Sequence, residues 1–182
     1  MGPTTRTHEK ALVILVPEAE SIVGTFRAQY DPSAADGMPA HVTINYPFLP
    51  GREVSQPAID ALASLFARFP AFDFVLAEPR RFPDVLYLAP EPAGKWKELI
   101  HAVVKQFPDS PPYGGLFAEV TPHLTVAQTD DPAVLEAVTR EFRSAAGGRL
   151  PLAAHAGEVA LMDDRSGRWE LKQMFALGRE RL

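Results

Sequence analysis

The 182-residue chain contains no cysteine, which excludes disulfides, thiolate metal centres and a cysteine nucleophile. It also lacks any long apolar run. Residues 11–16 are too few for the core of a signal segment and lead into Pro17-Glu18, and nothing approaches a membrane span. Gly2 is followed by Arg6 where N-myristoylation needs Ser or Thr, so the expectation is a cytoplasmic protein with no membrane partner. No stretch is rich in Lys and Arg, and the formal net charge is −5. Such a chain is a poor candidate for holding long nucleic acid through many phosphate contacts. Neither a Gly-x-Ser-x-Gly elbow nor a Gly-rich phosphate loop of the P-loop type is present.

What is present is an ordinary globular composition, 46% hydrophobic and 23% charged, long enough for one domain over residues 1–182 with a sizeable core. Within it, His41-Val42-Thr43-Ile44-Asn45 and His123-Leu124-Thr125-Val126-Ala127 repeat one pattern, 82 residues apart. In an extended strand, side chains alternate between faces. His41, Thr43 and Asn45 should therefore share one face, as should His123 and Thr125, while Val42, Ile44, Leu124 and Val126 pack. Tyr46 should face away. The other three histidines, His8, His101 and His155, are followed two residues later by Lys, Val and Gly and do not share the pattern.

The surrounding chain reads as a duplicated order of elements. Residues 1–10 are polar and expected to fray. A strand over 11–16, a helix over 18–29, a loop over 31–39, the first motif strand, a helix over 57–69 and a strand over 72–82 form a first unit of about 11–82. A strand over 85–88, a helix over 93–107, a Pro/Gly-rich loop over 108–122, the second motif strand, a helix over 132–144 and one strand within 150–162 follow. A last strand over 169–177 completes a second unit of about 85–178. The predicted fold is α+β: two pseudo-symmetric lobes, each a mainly antiparallel sheet with helices outside, around a central cleft holding both motifs.

A cleft between such lobes brings two imidazoles and two hydroxyls face to face. One neutral histidine can take a proton while a protonated one gives a proton, because a reference pKa of about 6.5 lets both forms exist near neutrality. Thr43 and Thr125 can donate hydrogen bonds to phosphate oxygens. A zinc site needs three ligands, and neither motif places a carboxylate or second histidine at ligand spacing, so no metal or other cofactor is expected.

With its paired His-apolar-Thr-apolar motifs, the chain resembles the two-histidine (2H) phosphoesterases, which include bacterial 2'-5' RNA ligase and cyclic phosphodiesterase proteins. The resemblance extends to residues 82–88 as the family's mid-chain strand pair, and to Trp169-Glu170-Leu171 and Phe175-Ala176-Leu177-Gly178 as its closing strand. It implies that His41 and His123 act as general acid and base, that Thr43 and Thr125 bind phosphate, and that the ester is a 2',3'-cyclic or 2'-5'-linked nucleotide. The implied partner is a nucleotide or short RNA end, and the favoured state is a monomer. Candidate substrate contacts are Asn45, Tyr113 and Phe117, the last two as stacking platforms or as anchors of the loop. Arg80, Arg81, Arg165 and Arg168 are candidate phosphate contacts or solvated surface. The alternative function is a non-catalytic nucleotide-binding or scaffolding module of the same fold.

Overall fold

The computed structural model describes residues 8–179, so most of the predicted frayed segment lies outside the described residues. The apolar run near the start forms β1 (Lys10–Leu15), and its residues are almost all buried because both faces are covered. A single 3-10 turn leads into α1 (Glu20–Tyr30). The predicted loop that follows holds a one-turn helix, α2 (Pro32–Ala35). Asp31 caps it by accepting from the Ser33 backbone N–H, and Pro32 supplies the fixed φ that a first helical residue needs. Then come β2 (His41–Asn45), α3 (Gln56–Phe66), β3 (Phe72–Arg81) and β4 (Val85–Glu91). The second half continues with α4 (Gly94–Gln106), β5 (Leu124–Gln128) and α5 (Pro132–Ala146). Residues 150–162 hold two strands rather than one, β6 (Leu152–Ala156) and β7 (Glu158–Asp163), before β8 (Glu170–Ala176).

Among the described residues, eight strands form two antiparallel four-stranded sheets, in the orders β2-β1-β7-β8 and β5-β4-β3-β6. Each motif strand is an edge strand, and the two edges meet where β2 packs against β5. The sheets do not coincide with the two consecutive units read from the sequence. β3 crosses into the second sheet, β7 returns to pair with β1 in the first, and β8 pairs with β7 there. Helices cross over too: α1 packs on β5 and α4 on β2.

This exchange joins both halves in one continuous core. Leu12, Val42 and Ile44 of the first sheet share it with Leu124 and Val126 of the second, and with Trp96, Leu99 and Phe142 from the helices. The indole of Trp96 is fully buried edge-on against Phe72 and Phe74, with ring centroids 5.4 and 5.0 Å away. A smaller cluster of Ala11, Val13, Met38, Ala160 and Met162 covers the other face of the first sheet, with Tyr46 and Trp169 packed on it. No helix among the described residues is long and apolar enough to cross a membrane.

Candidate active site

Both motif strands begin with the predicted alternation. His41 and Thr43 are half-buried while Val42 and Ile44 are buried, and His123, Leu124, Thr125 and Val126 repeat this pattern. The pattern then breaks at the same place in each lobe. Val13 pairs with Thr43 but Leu12 with Asn45, and Tyr87 pairs with Thr125 but Leu86 with Ala127. One residue on β1 or β4 thus opposes two on the motif strand, which is a β-bulge, and the extra residue turns everything after it to the opposite face.

The bulge corrects the expectation for Asn45. Its side chain is fully buried, with Nδ2 donating to the Ser110 carbonyl at 3.0 Å, and it does not line the cavity described below. Ser110 also accepts from the Leu49 backbone N–H and donates to the Pro47 carbonyl, so Asn45 belongs to a knot that ties the start of the 108–122 segment to β2. Tyr46, expected to face away, turns to the cavity instead. Gln128 occupies the equivalent position in the other lobe. Reading the repeat one residue beyond Asn45 and Ala127, with a bulge allowed, was the signal that could have found this pair.

A cavity of about 870 Å³ lies where the two edges meet, and His41, Thr43, His123 and Thr125 all line it. Each imidazole is held in the same way. Nδ1 of His41 bonds the Pro39 carbonyl at 2.8 Å, and Nδ1 of His123 bonds the Thr121 carbonyl at 2.8 Å. A carbonyl can only accept, so Nδ1 carries the proton in both rings and Nε2 is the nitrogen left for chemistry. Phe82 and Tyr87 stand edge-on to the His123 ring, with centroids 5.2 and 5.6 Å away. Behind His41, the buried Arg27 guanidinium bonds Asp31 through Nε and Nη2, each at 3.0 Å.

These surroundings disfavour charge on both imidazoles. Burial, and then the nearby Arg27, push His41 down to about 4 from 6.5, against smaller upward effects of the Pro39 carbonyl and Asp31. His123 adds a further downward effect on His41. Burial likewise lowers His123, opposed by the Thr121 carbonyl.

Tyr113 and Phe117 also line the cavity. Tyr113 lies in a 3-10 turn (Pro112–Gly115) in the left-handed region, with φ 52°, and its N–H donates to the Tyr46 carbonyl at 2.6 Å. A side chain rarely adopts this backbone, so the segment is held by its contacts rather than by local preference. Burial raises the Tyr113 phenol, and a hydrogen bond with Thr43 offsets part of that rise. Phe117 is 60% exposed, with its ring edge-on to Tyr113.

None of the four candidate arginines lines the cavity. Arg80 pairs with Glu91, Arg81 with Glu136 and Arg165 with Glu53, while Arg168 stands beside Gly37. His101 is exposed on α4, and His155 is exposed beside Asp73. Among the described residues, no group of three His, Cys, Asp or Glu side chains is placed to hold a metal ion.

Residues 15–168 match the model of the 2'-5' RNA ligase superfamily. The chain belongs to this superfamily. Solved structures agree on the fold. E. coli LigT in complex with NADP+ is 21% identical with a TM-score of 0.60, covering 96% of this chain and 100% of that one. E. coli LigT with 3'-AMP is 19% identical with a TM-score of 0.61, covering 94% and 99%. TT0787 of Thermus thermophilus is 19% identical with a TM-score of 0.59, covering 95% and 100%. No match was found among curated proteins. For this member of the 2'-5' RNA ligase superfamily, family and fold together indicate a phosphoesterase or 2'-5' RNA ligase-like activity.

Proposed function

We propose that the protein is a metal-independent phosphoesterase acting on the 2',3'-cyclic phosphate or 2'-5' phosphodiester of nucleotides or RNA ends, with His41 and His123 as general acid and base. The observation that carries this reading is the matched pair of imidazoles in one cavity, each with Nδ1 bound to a backbone carbonyl. That hold fixes both rings and leaves two Nε2 atoms for proton transfer.

In hydrolysis of a cyclic phosphate, one neutral Nε2 takes a proton from water as the water oxygen bonds to phosphorus. The bond from phosphorus to one ribose oxygen breaks, and the other histidine, as imidazolium, donates its Nε2 proton to that oxygen. Thr43 and Thr125 donate to the non-bridging oxygens, where negative charge is concentrated. The near-equivalence of the lobes lets the two histidines exchange roles between the forward and reverse reactions. Tyr113 and Phe117 offer ring faces for a base. The 3'-AMP, ATP and NADP+ complexes of LigT support a nucleotide as the partner here as well.

The test is a turnover screen of purified protein, with EDTA present, on 2',3'-cyclic nucleotides, 2'-5'-linked dinucleotides and RNA ending in a cyclic phosphate. Turnover of at least one class, unaffected by the chelator, is expected. No turnover on any of them would favour a binding module, and activity lost in EDTA but restored by metal would overturn the acid-base mechanism.

A further inference from the structure

Beyond the motifs, one wall of the cavity has a chemistry that the proton transfers do not use. The Tyr113 ring, next to Thr43, stands edge-on to Tyr46, and Tyr46 stands edge-on to Trp169, each pair of centroids 6.3 Å apart. Glu9 lines the cavity beside them. It is held in three ways: its Oε2 accepts the Tyr46 hydroxyl, its N–H donates to Asp164 Oδ1 at 2.7 Å, and its carbonyl accepts the Asp164 N–H at 3.1 Å. Burial, and then the Glu9 carboxylate, raise the Tyr46 phenol, so its hydroxyl keeps its proton and continues to donate. Glu9 Oε1 has no protein partner among the described residues.

A fixed carboxylate only accepts hydrogen bonds, so it selects for donors on whatever lies against it. No Lys or Arg among the described residues lines the cavity, so a second phosphate gains nothing by approaching this wall. A nucleoside bound with its phosphate at the motifs would bring its base to the aromatic side chains. The edge of that base would then meet Glu9. Guanine alone among the four common bases offers two adjacent N–H donors, N1–H and N2–H, to the two oxygens of one carboxylate. Oε2 can accept one of these while keeping the Tyr46 bond, because an ionised carboxylate has about four acceptor positions. Adenine and cytosine place a ring acceptor beside their amino group, and uracil flanks its N3–H with two carbonyls, so each sets an acceptor against a carboxylate oxygen.

We propose that Glu9 is a specificity-determining residue that reads the N1–H and N2–H edge of guanine, making guanosine-ended cyclic phosphates the preferred ligands. This rests on the reading of the cavity as a nucleotide phosphoesterase site. A site built to pair a donor disfavours a ligand that lacks it, because the half-buried Glu9 acceptor is then left without a partner.

The test separates binding from turnover. In His123→Ala protein, which should not consume the ligand, calorimetric titration with the four nucleoside 2',3'-cyclic phosphates should show the guanosine form binding at least about tenfold tighter than the others. Adding Glu9→Gln, which keeps the shape and can still accept the Tyr46 hydroxyl, should bring the guanosine form within about threefold of the rest without weakening them. Equal affinities in the Glu9 protein, or a Glu9→Gln loss shared by all four, would overturn the proposal; the latter would show that Glu9 only supports the fold. Turnover on wild type is measured separately. Catalysis without base preference would remove this inference alone, whereas guanosine-selective binding without turnover would remove the proposed reaction alone.

Discussion

The hydrogen bond from Nδ1 to a carbonyl two residues upstream gives both histidines one tautomer, and burial gives both a reduced affinity for protons. The two imidazoles were legible in the sequence because they head matching repeats. Their tautomer was not, because the acceptor is a backbone carbonyl whose direction depends on the turn at Pro39 or Thr121. Nor was the charge balance, since Arg27 reaches His41 only through the packing of α1. The lowered proton affinity has a consequence for pH dependence. With both groups shifted down, the singly protonated pair needed by an acid and a base becomes more populated as pH falls below neutrality, and is lost again when His41 protonates near 4. The kcat/KM profile should therefore be a bell with its maximum below pH 6.5, its limbs belonging to the coupled pair. A maximum above pH 7.5 would show that these environments do not govern the reacting state.

At the scale of elements, the bulge shows where alternation stops being a guide. A period of two holds only along an unbroken ladder, and one extra residue after each Thr sends Asn45 and Ala127 inward and turns Tyr46 and Gln128 to the cavity. Helix positions were more accessible because their ends have local causes. The α5 start was legible from Asp131-Pro132: the Asp131 carboxylate accepts from the Ala133 and Val134 N–H groups at 2.8 and 3.2 Å, satisfying donors that the first turn cannot. Asp131→Ala should cost about 1 kcal/mol of stability by urea denaturation and leave kcat unchanged. A loss of activity without a loss of stability would mean that Asp131 acts on the site instead. Which sheet a helix covers had no local cause to read. The apolar stripe of α1 would fit either sheet, and only assembly places it on β5.

For the whole molecule, the sequence indicated two similar antiparallel lobes and a shared cleft, and the two four-stranded sheets have that form. Strand exchange was not legible, since β3, β7 and β8 carry no mark of the sheet they will join. Charge, by contrast, was read directly. With a net −5 and its candidate arginines paired or standing away from the cavity, the protein should recognise the reactive phosphate and its nearest nucleosides. Short and long substrates with the same end should bind alike, and log affinity should fall with log salt by only about one to two phosphates' worth. A steep slope with a large gain for long RNA would reveal an extended basic track. The proposed reaction requires the two histidines to act as one device. Its most direct measurement is the turnover of a 2',3'-cyclic nucleotide, in EDTA, by His41→Asn, His123→Asn and the double variant, with folding checked by circular dichroism. Each single change should reduce kcat/KM by about 10²–10⁴, and the double change should add less than about tenfold to the larger of these losses. Near-normal activity in either single variant, or losses that multiply in the double, would contradict the account.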